Sequence, residues 1–565
     1  MKNALVFGVT QFLRRGKFSF LKKTSNPNKH QTDFLLSLVQ EHQDTEFGKN
    51  HQFSNIQTIE DYRSQVPIRT YEDFEPFIVR MSEGEEQVLI KEKPIYFNIT
   101  SGSTGKRKLI PVTKASRRCV KRASAASSGF LADASYQNHR PLGGLLFPAS
   151  VKSIGKTKSG IEFAPVSTSD LKLSNFISRT VMSSPFEAHQ VGDLKSRHYV
   201  CLLFALADRN LRVMAETFPV TALRLCQFME KHSKSLVADL KTHQLTDWLK
   251  IDDEQRSLLL SKLKCSQARI QELEAIVNRD GRLTPQTAWP NLSFMITARG
   301  GTSDFYFNKF PEYFGNLPIF GGVYSSAEAT YGVHRDFGTD GVILALESGF
   351  YEFIPESQWE VSQPQTILPH EVEVGKRYRI VVTNYNGFYR YDVGDVVEIE
   401  GFQNQTPIFI FRHRYKGFIT SVGEKTTEYH VTKTISQLEH QLNVKLANFC
   451  VTLTDEIPPC YVVNVELPAG ETLDNPKAFI TGYDKLLSEC HNLYGVKRQD
   501  QVKAPILRIL KPGTFQNLQD KMIRKGMSET QIKLPKISND RQLFDESTVM
   551  AEYQFEDQKI LVTLE

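Results

Sequence analysis

One short stretch of the sequence combines turn-forming glycines with hydroxyl and cationic side chains. Residues 98–111 read Asn-Ile-Thr-Ser-Gly-Ser-Thr-Gly-Lys-Arg-Lys-Leu-Ile-Pro. Glycine lets the backbone adopt positive φ and approach a ligand closely. Backbone N–H groups, hydroxyls and cations in such a turn are the groups that bind a polyphosphate. The predicted phosphate ligands are Thr100, Ser101, Gly102, Ser103, Thr104 and Gly105.

The spacing of this glycine loop differs from that of a Walker A loop, which requires Gly-x-x-x-x-Gly-Lys-Ser/Thr. The flanking residues 95–99 and 108–113 have the pattern of strands, so the loop is predicted to connect a hairpin. A solvated turn without a ligand has the same composition and is the alternative.

A second segment places an aromatic ring four residues before a carboxylate. Residues 321–328 read Gly-Gly-Val-Tyr-Ser-Ser-Ala-Glu. The ring of Tyr324 is suited to stack on a purine. The carboxylate of Glu328 is a hard oxygen ligand, suited to a magnesium ion that bridges phosphate oxygens. A turn with a surface carboxylate is the alternative.

Two further segments carry single candidate residues. Residues 389–396 read Tyr-Arg-Tyr-Asp-Val-Gly-Asp-Val, in which Asp395 is placed to accept both ribose hydroxyls and Asp392 is its rival. A turn without a ligand has the same sequence pattern and is the alternative. Near the C-terminus, Lys533 lies on an extended segment before Leu-Pro. Taken alone, such a lysine is usually a solvated charge.

The elements that position these segments are predicted from hydrophobic periodicity and turn residues. Helices are predicted at residues 31–65 and 114–131 and across 200–280, where Pro219 breaks them once and Thr221 caps the next segment. Short buried strands at 291–297 and 318–324 indicate an α/β core. The pattern from 341 to 410 is β, and after about 417 a separate α+β unit is predicted, with helices at 431–442 and 476–493 and strands at 449–453 and 461–467.

Composition excludes several classes of protein. The 565 residues are too many for one core, so two or more domains are expected. The net charge of +5, from 69 basic and 64 acidic residues, gives no argument for nucleic acid as a partner. The seven cysteines are scattered without Cys-x-x-Cys, so neither a zinc site nor a disulfide framework is indicated, and a reducing, cytoplasmic location is expected.

The N-terminal segment, residues 1–23, mixes apolar and basic residues but contains no run long enough to span a membrane. The interruptions of its apolar stretch argue against a signal peptide. Two alternatives stay open at this point, a helix docked on the protein and a helix on an anionic membrane surface, and the docked helix is preferred.

The four segments, in this order, resemble the acyl-adenylate-forming, firefly-luciferase-like superfamily. More closely, they resemble the auxin-responsive promoter family of acyl-acid amido synthetases in a bacterial-type version. The resemblance extends from about residue 32 to residue 537, and the tail at 511–536 is specific to that family. It implies that residues 100–105 bind the ATP phosphates, that Tyr324 and Ser325 bind the nucleotide, that Glu328 binds Mg²⁺ and that Asp395 binds the ribose.

The resemblance also implies an adenylate-forming enzyme fold. In that fold, a large N-terminal α/β domain with a β-barrel-like subdomain spans residues 1–411, a hinge spans 412–416 and a small mobile α+β domain spans 417–565. Lys533 matches the lysine that enters the site for adenylation, and Arg412 matches the arginine that begins the hinge. Arg299, in the segment 297–301, is a candidate contact of the substrate carboxylate, and residues 200–240 are expected to line the same acyl pocket.

The implied reaction is a two-step, carbon–nitrogen-forming ligation. A carboxylic acid and ATP give an acyl-adenylate and pyrophosphate, and the amine of an amino acid then gives an amide and AMP. Small-molecule acids and amino acids are the expected partners, and a monomer is expected. Two rivals stay open: a ligase that forms a thioester with coenzyme A or a carrier, and a non-catalytic binding protein on the same fold.

Overall fold

The computed structural model describes residues 2–101, 107–173, 180–301, 303–415, 417–499, 501–524, 527 and 532–554. The chain divides into two compact units, Met1–Phe411 and Arg412–Glu565. The mixed α/β class, with a large first unit and a smaller second one, is therefore confirmed. Within the described ranges, none of the helices is both long enough and apolar enough to cross a membrane.

The helices of the first unit lie mostly before residue 320. In chain order they are α1 (Lys2–Lys23), α2 (Pro27–His42), α3 (Glu46–Asn50), α4 (Ile59–Gln65), α5 (Tyr71–Glu83), α6 (Lys114–Gln137), α7 (Val166–Lys172), α8 (Leu194–Ala207), α9 (Pro219–Lys231), α10 (Ser233–Thr242), α11 (Asp253–Lys262), α12 (Gln267–Asp280), α13 (Pro285–Ala288), α14 (Ser303–Phe307) and α15 (Pro311–Phe314). Short 3₁₀ turns lie at Phe53–Asn55, Phe186–Gln190 and Glu356–Gln358.

Side-chain caps explain where the helix predictions were wrong. The helical stretch predicted at 31–65 is divided into three helices, and Thr58 starts α4 anew: its hydroxyl accepts from Asp61 N at 3.0 Å, and the Asp61 carboxylate accepts from Thr58 N at 2.9 Å. Thr221 does not begin a helix, because α9 starts at Pro219 with Phe218 as its N-cap. The Thr221 hydroxyl instead accepts from Phe218 N at 3.3 Å.

The strands of the first unit form three sheets. In chain order they are β1 (Tyr96–Ser101), β2 (Arg107–Val112), β3 (Gly144–Leu146), β4 (Gly155–Lys156), β5 (Glu162–Ala164), β6 (Leu211–Ala215), β7 (Phe294–Ile296), β8 (Ile319–Phe320), β9 (Val323–Ser325), β10 (Thr330–His334), β11 (Val342–Leu344), β12 (Phe350–Pro355), β13 (Arg377–Asn384), β14 (Phe388–Gln403) and β15 (Thr406–Arg414). The strand orders are β2-β1-β5-β4, β3-β6-β7-β8 and β12-β13-β14-β15-β11-β10-β9.

Two of the three sheets differ in the relative direction of their strands. The sheet β3-β6-β7-β8 is parallel throughout, and its strands are two to five residues long. Such a sheet is typical of a buried α/β core. In the seven-stranded sheet, the pairs β12–β13, β13–β14, β9–β10, β10–β11 and β11–β15 are antiparallel. One large apolar cluster joins this sheet to helices α2–α5. The strand predicted at 318–324 is interrupted by Gly322, whose φ is 70°.

The N-terminal helix α1 is docked on α6, which decides between the two alternatives for residues 13–23. The two helices approach closely at glycines: a Cβ atom on Gly16 would lie 2.8 Å from a backbone oxygen of α6, and one on Gly129 would lie 2.6 Å from a backbone oxygen of α1. Arg14 and Lys17 both form ion pairs with Asp133. These basic side chains are therefore engaged by the protein itself.

The second unit is an α+β fold. Its strands after β15 are β16 (Phe418–Ile419), β17 (Thr426–Thr427), β18 (Asn448–Leu453), β19 (Tyr461–Glu466), β20 (Ile506–Leu510) and β21 (Val549–Tyr553). Its helices are α16 (Glu428–Leu442), α17 (Pro476–Cys490), α18 (Asn492–Arg498) and α19 (Thr514–Arg524), and a 3₁₀ turn lies at Glu546–Thr548. The sheet has the order β18-β19-β20-β21. Both predicted helices and both predicted strands are present.

Candidate functional site

The base of the glycine loop is a hairpin, as predicted. Strands β1 and β2 pair antiparallel from Tyr96 and Val112 to Ser101 and Arg107. Thr100 lies opposite Lys108, immediately before the turn. The predicted phosphate ligands Gly102, Ser103, Thr104 and Gly105 fall outside the described residues, so their role stays a prediction.

Tyr71, the first residue of α5, supports the outer strand of this hairpin. Strand β2 is an edge strand, and among the described residues its outward peptide groups have no neighbouring strand. The Tyr71 hydroxyl accepts from Leu109 N at 2.9 Å and donates to Leu109 O at 3.0 Å. The Lys108 ammonium lies 4.5 Å from the Tyr71 ring centre and 3.6 Å from Glu72. Lys108 therefore joins the base of the hairpin to the first turn of α5.

Tyr324 and Asp395, predicted from separate segments, are in direct contact. The Tyr324 hydroxyl donates to the carboxylate of Asp395. The Tyr324 ring lies 5.1 Å from that of Tyr331 and 5.8 Å from that of Phe411, centre to centre. Asp395 is 3% exposed, whereas Ser325, beside Tyr324 on β9, is exposed. The aromatic neighbours hold the Tyr324 ring in place next to the buried carboxylate.

A β-bulge separates the roles of Asp392 and Asp395. Arg379 pairs with Val396, and Val381 pairs with Asp392, so one residue of β13 faces three residues of β14. Gly394 lies inside the bulge with a φ of 75°. Asp392 forms an ion pair with Arg379 at 3.2 Å and accepts from Gly394 N at 2.9 Å. The bulge thus uses Asp392 to hold the backbone and turns Asp395 towards Tyr324.

Glu328 lies on a segment that is fixed by hydrogen bonds of its own backbone. Its carbonyl accepts from Asn384 Nδ2 at 2.9 Å, and its N–H donates to Ser326 Oγ at 3.2 Å. Ser326 in turn contacts the Tyr331 hydroxyl at 2.8 Å. The residue is 8% exposed.

The charge of Glu328 affects two buried tyrosines, Tyr331 and Tyr71. Burial raises the pKa of Tyr331 well above its ordinary value, and the negative charges of Glu328 and Asp395 raise it further. Burial also raises the pKa of Tyr71, with a contribution from Glu328. Two hydrogen bonds give the geometric link: Asn384 Nδ2 donates to Glu328 O at 2.9 Å, and Asn386 Nδ2 donates to Pro111 O of β2 at 2.6 Å, so the Glu328 segment and the hairpin are both bonded to residues 384–386.

Arg299 has a protein partner in this structure. Its Nε lies 2.8 Å from the Asp340 carboxylate, and its guanidinium lies 5.0 Å from the centre of the Phe307 ring. It also donates to Gly338 O at 3.2 Å. These contacts fix the segment that follows β7, and contact with a substrate carboxylate stays a prediction.

Of the two predicted site residues of the second unit, Lys533 is exposed and Arg412 is half-buried. Lys533 has a side chain that is 43% exposed, with Nζ 3.7 Å from Glu428 Oε2. Its neighbours Ile532 and Leu534 are buried. The guanidinium of Arg412 lies 5.3 Å from the centre of the Tyr429 ring.

Backbone pairing explains why Lys533 faces outward. Residues 536–538 add to the edge of β18: Val451 N donates to Lys536 O at 2.9 Å, and Ser538 N donates to Val451 O at 2.9 Å. Lys536 is buried, with Nζ 2.7 Å from Asn448 Oδ1. The segment is therefore tied down by Lys536 and its apolar neighbours, which leaves the Lys533 ammonium accessible.

A cavity of about 310 Å³ lies elsewhere in the first unit, between α2, the start of α6 and residues 346–347. Phe34, Cys119 and Tyr385 form its apolar part, and Lys23, Arg118 and Arg122 are among its charged residues. None of the predicted site residues lines it.

Sequence reasoning missed Tyr71, Tyr331 and Asn384, all of which position predicted site residues. Tyr71 and Tyr331 are aromatic residues in otherwise ordinary helix and strand patterns, and Asn384 lies two residues before the dipeptide Asn386-Gly387. Their importance arises from contacts between distant parts of the chain, such as the bond from Asn386 Nδ2 to Pro111 O at 2.6 Å. No local pattern in the sequence marks such contacts.

Comparison with known proteins covers nearly the whole chain. The GH3 family N-terminal domain matches residues 17–319, the GH3 family central domain matches 342–414 and the GH3 family C-terminal domain matches 428–542. Among relatives, the indole-3-acetic acid-amido synthetase GH3.17 of Arabidopsis thaliana is 28% identical over 520 residues, which are 84% of this chain and 85% of that protein. The indole-3-acetic acid-amido synthetase GH3.2 of the same plant is 29% identical over 514 residues, 85% of this chain and 91% of that protein.

Solved structures give the same fold. The structure described as AtGH3.15 acyl acid amido synthetase in complex with 2,4-DB superposes with a TM-score of 0.83 at 23% identity, covering 96% of this chain and 97% of that one. The N-terminal family domain carries the hairpin, the central domain carries Asp395 and the C-terminal domain carries Lys533. On these matches, the chain belongs to the GH3 family.

Proposed function

We propose that the chain is an ATP-dependent acyl-acid amido synthetase. In the first step, a substrate carboxylate attacks the α-phosphate of ATP, and pyrophosphate leaves. In the second step, the amine of an amino acid attacks the acyl-adenylate, loses a proton and displaces AMP. The observation that carries the proposal is the contact of Tyr324 with Asp395 in a chain of the GH3 family, with the Glu328 segment and strand β2 of the hairpin both bonded to residues 384–386.

The nucleotide is proposed to bind along this contact. The carboxylate of Asp395 accepts hydrogen bonds from the ribose hydroxyls, and the half-buried ring of Tyr324 packs against the adenine, with Ser325 beside it. The hydroxyls of Thr100 and Ser101 and the turn at residues 102–105 bind the phosphates. Because Tyr71 and Lys108 fix the base of the hairpin, the turn starts from a rigid platform.

The residues fit a magnesium ion that is shared with the nucleotide. Mg²⁺ is usually bound by one or two carboxylates together with substrate phosphates and water. Glu328 offers one carboxylate, and within the described part of the chain no three His, Cys, Asp or Glu side chains cluster as an all-protein metal site would require. When bound at Glu328, Mg²⁺ would offset the negative charge of the leaving pyrophosphate.

Lys533 is proposed as the catalytic cation of adenylation. Its ammonium would stabilise the negative charge shared by the α-phosphate and the attacking carboxylate. The accessible position between two buried neighbours suits a residue that acts on a ligand. Residues 412–416, beginning with Arg412, are proposed as the hinge that lets the smaller domain, 417–565, bring Lys533 in and then withdraw it.

The proposed substrates follow the names of the relatives. Indole-3-acetic acid is therefore the first acid to test, together with benzoic, phenylacetic and short alkanoic acids. Residues 200–240 and 297–301 are proposed to line the acid pocket. The enzyme is proposed to act as a monomer in the cytoplasm.

The test is pyrophosphate release over this panel of acids, with and without each amino acid, followed by mass spectrometry of the product. We expect acid-dependent pyrophosphate release and an amide that appears only with an amino acid. A thioester formed with coenzyme A in place of the amide would favour the rival ligase. The absence of both ATP binding and turnover would favour a non-catalytic binding protein.

A matched pair of lysine variants tests the catalytic assignment. Lys533→Ala should abolish adenylation and leave ATP affinity nearly unchanged, because the contact is made in the transition state. Lys503→Ala is the control, since Lys503 is also an ion-paired, 47% exposed lysine of the second unit, 2.8 Å from Glu456. Equal activity of the two variants would remove Lys533 from the catalytic residues.

A further inference from the structure

The carboxyl edge of the parallel sheet β3-β6-β7-β8 carries two buried side-chain oxygens that the nucleotide chemistry does not use. Ala215 on β6 is in register with Ile296 on β7, and Ile296 is in register with Phe320 on β8. One residue further along each strand, Glu216 and Thr297 follow in a row with Gly321. This edge of an open parallel sheet is where α/β folds bind ligands.

Backbone hydrogen bonds continue the ladder through this row. Glu216 N donates to Ile296 O at 3.0 Å, and Thr297 N donates to Phe320 O at 3.1 Å. Residues at equivalent positions on neighbouring parallel strands direct their side chains to the same face of the sheet. Glu216 and Thr297 are therefore neighbours on one face, in the same row as Gly321, which lies three residues before Tyr324.

Both side chains hold an oxygen without a hydrogen-bond donor among the described residues. Glu216 Oε1 and Thr297 Oγ1 are inaccessible to solvent and make no hydrogen bond there, and Thr297 is 2% exposed. Leaving a buried polar atom unpaired is unfavourable, so such an atom in a native protein calls for an explanation, and a bound ligand is one. Two such atoms side by side at a ligand-binding edge point to a ligand that donates to them.

The surroundings of Glu216 agree with a ligand-facing carboxyl group. Burial raises its pKa to about 7, which the Thr221 hydroxyl, the Thr217 N–H and the Arg197 charge partly oppose. Arg197 itself donates to the carbonyls of Pro148 and Val191 at 3.1 and 2.9 Å. These neighbours leave Glu216 Oε1 without a hydrogen bond among the described residues.

We infer that Glu216 and Thr297 select an acid substrate whose body carries a hydrogen-bond donor, such as a hydroxyl or a ring N–H. This inference rests on the proposed function and names the substrate class of its acid pocket. A site built to bond a donor rejects the analogue that lacks it much more strongly than an apolar pocket rejects an extra methyl group. Glu216 and Thr297 act here as specificity-determining residues.

The experiment compares paired acids that differ only in the donor. The pairs are 4-hydroxyphenylacetic and 4-methylphenylacetic acid, and indole-3-acetic and 1-methylindole-3-acetic acid. For each enzyme, the ratio within a pair is measured twice, from kcat/KM for pyrophosphate release and from the dissociation constant of the acid by calorimetry. In at least one pair, we expect the wild type to prefer the acid that carries the hydrogen-bond donor by about tenfold or more.

The variants separate selection from a structural role. Glu216→Leu and Thr297→Val should bring the ratio close to one. Glu216→Gln should keep most of the preference for the donor-bearing acid, because an amide oxygen still accepts a hydrogen bond. Glu216→Leu should also keep or raise the melting temperature, since it removes a buried unpaired carboxyl group. Ser293→Ala is the control: the Ser293 hydroxyl is equally buried and unbonded within the described residues, but it precedes β7 at the opposite edge of the sheet.

Two outcomes would overturn the inference. One is a wild-type ratio near one for both pairs. The other is a Glu216→Leu variant that loses the same factor in kcat/KM for both acids of a pair and has a lower melting temperature. Failure of the proposed function is a separate result, namely that no acid supports pyrophosphate release. In that case the ratio of dissociation constants still supports or overturns the assignment of Glu216 and Thr297.

Discussion

Two carboxylates three residues apart on β14 have different surroundings, and the difference predicts different effects. Asp395 accepts from Tyr324, whereas Asp392 is bound to Arg379 and Gly394 N. Asp395→Ala should raise the KM for ATP about tenfold or more, since a lost hydrogen bond to a charged group costs about 1.5–3 kcal/mol. The measurement is the KM for ATP in steady-state pyrophosphate release.

Asp392→Asn is the matched variant. It weakens a nearly buried ion pair that holds the bulge, so it should lower the free energy of unfolding by about 1–3 kcal/mol and leave the KM for ATP within about threefold. Urea unfolding measures the first effect. If Asp392→Asn raises the KM as much as Asp395→Ala does, the ribose role belongs to the bulge as a whole and not to Asp395.

Glu328 is the residue on which the magnesium requirement is expected to depend. Glu328→Gln keeps the size of the side chain but removes the charge that a hard cation prefers, so half-maximal rate should require several-fold more Mg²⁺. Titration of Mg²⁺ at saturating ATP measures this. Glu347→Gln is the control, since Glu347 lies at the separate cavity and pairs with Lys23. An unchanged titration in Glu328→Gln would mean that the metal is bound elsewhere.

At the scale of elements, the hairpin β1–β2 depends on a residue outside it. Tyr71→Phe removes the hydroxyl that bonds both peptide groups of Leu109, so the edge strand should become less ordered and the KM for ATP should rise several-fold, with a smaller change in kcat. Tyr96→Phe is the control, because the Tyr96 hydroxyl contacts Ser153 at 3.2 Å from the other strand of the hairpin. Equal effects of both variants would show that Tyr71 only contributes to general stability.

Elements with a strong local signal were predictable, and those defined by distant contacts were not. Helix α6 was predicted to begin at Lys114, as it does, because Thr113 caps it: its hydroxyl accepts from Ser116 N at 2.9 Å. Strand β6, in contrast, was assigned to a helix-rich region. Its five residues form a short apolar run between two helices, and such a run has no period that separates strand from helix.

The same limit applied to the site. Because β6 was missed, Glu216 could not be recognised as a residue at a sheet edge, although the expected pocket range of 200–240 included it. Asp395 is predicted from its own sequence segment, whereas in the structure it lies inside the 16-residue strand β14, where the bulge at Gly394 turns it towards Tyr324. Bulges arise from the pairing of two strands, which a single stretch of sequence does not encode.

At the scale of the whole molecule, the resemblance to a family supplied what local patterns did not. Lys533, alone, is an ordinary lysine before Leu-Pro, and its proposed role came from the order of four segments along the chain. The family assignment is confirmed by matches to all three GH3 domains. Order along the chain is informative because three of the segments fall in three different domains of the family and the segment 321–328 lies between the first two, so their combination is specific even where each motif is common.

The division of the chain after Phe411 also allows a test of the proposed hinge. Adenylation is proposed to need Lys533, and conjugation is proposed to need its withdrawal, so the two half-reactions require different positions of the smaller domain. Tyr415→Pro fixes φ at the hinge and removes an N–H, which should hinder rotation. We therefore expect the two half-reactions to be slowed unequally, by at least about tenfold relative to each other.

Single-turnover formation of the adenylate is measured beside amide formation from preformed adenylate. Ala469→Pro is the control, because Ala469 lies in an exposed turn of the same unit, in which Glu471 N donates to Pro468 O at 3.0 Å. Proline is favoured at the second position of such a turn, so this variant should leave both steps unchanged. Equal slowing of both steps by Tyr415→Pro, or no effect on either, would argue for one rigid active site, because a hinge that separates two working positions must affect them differently.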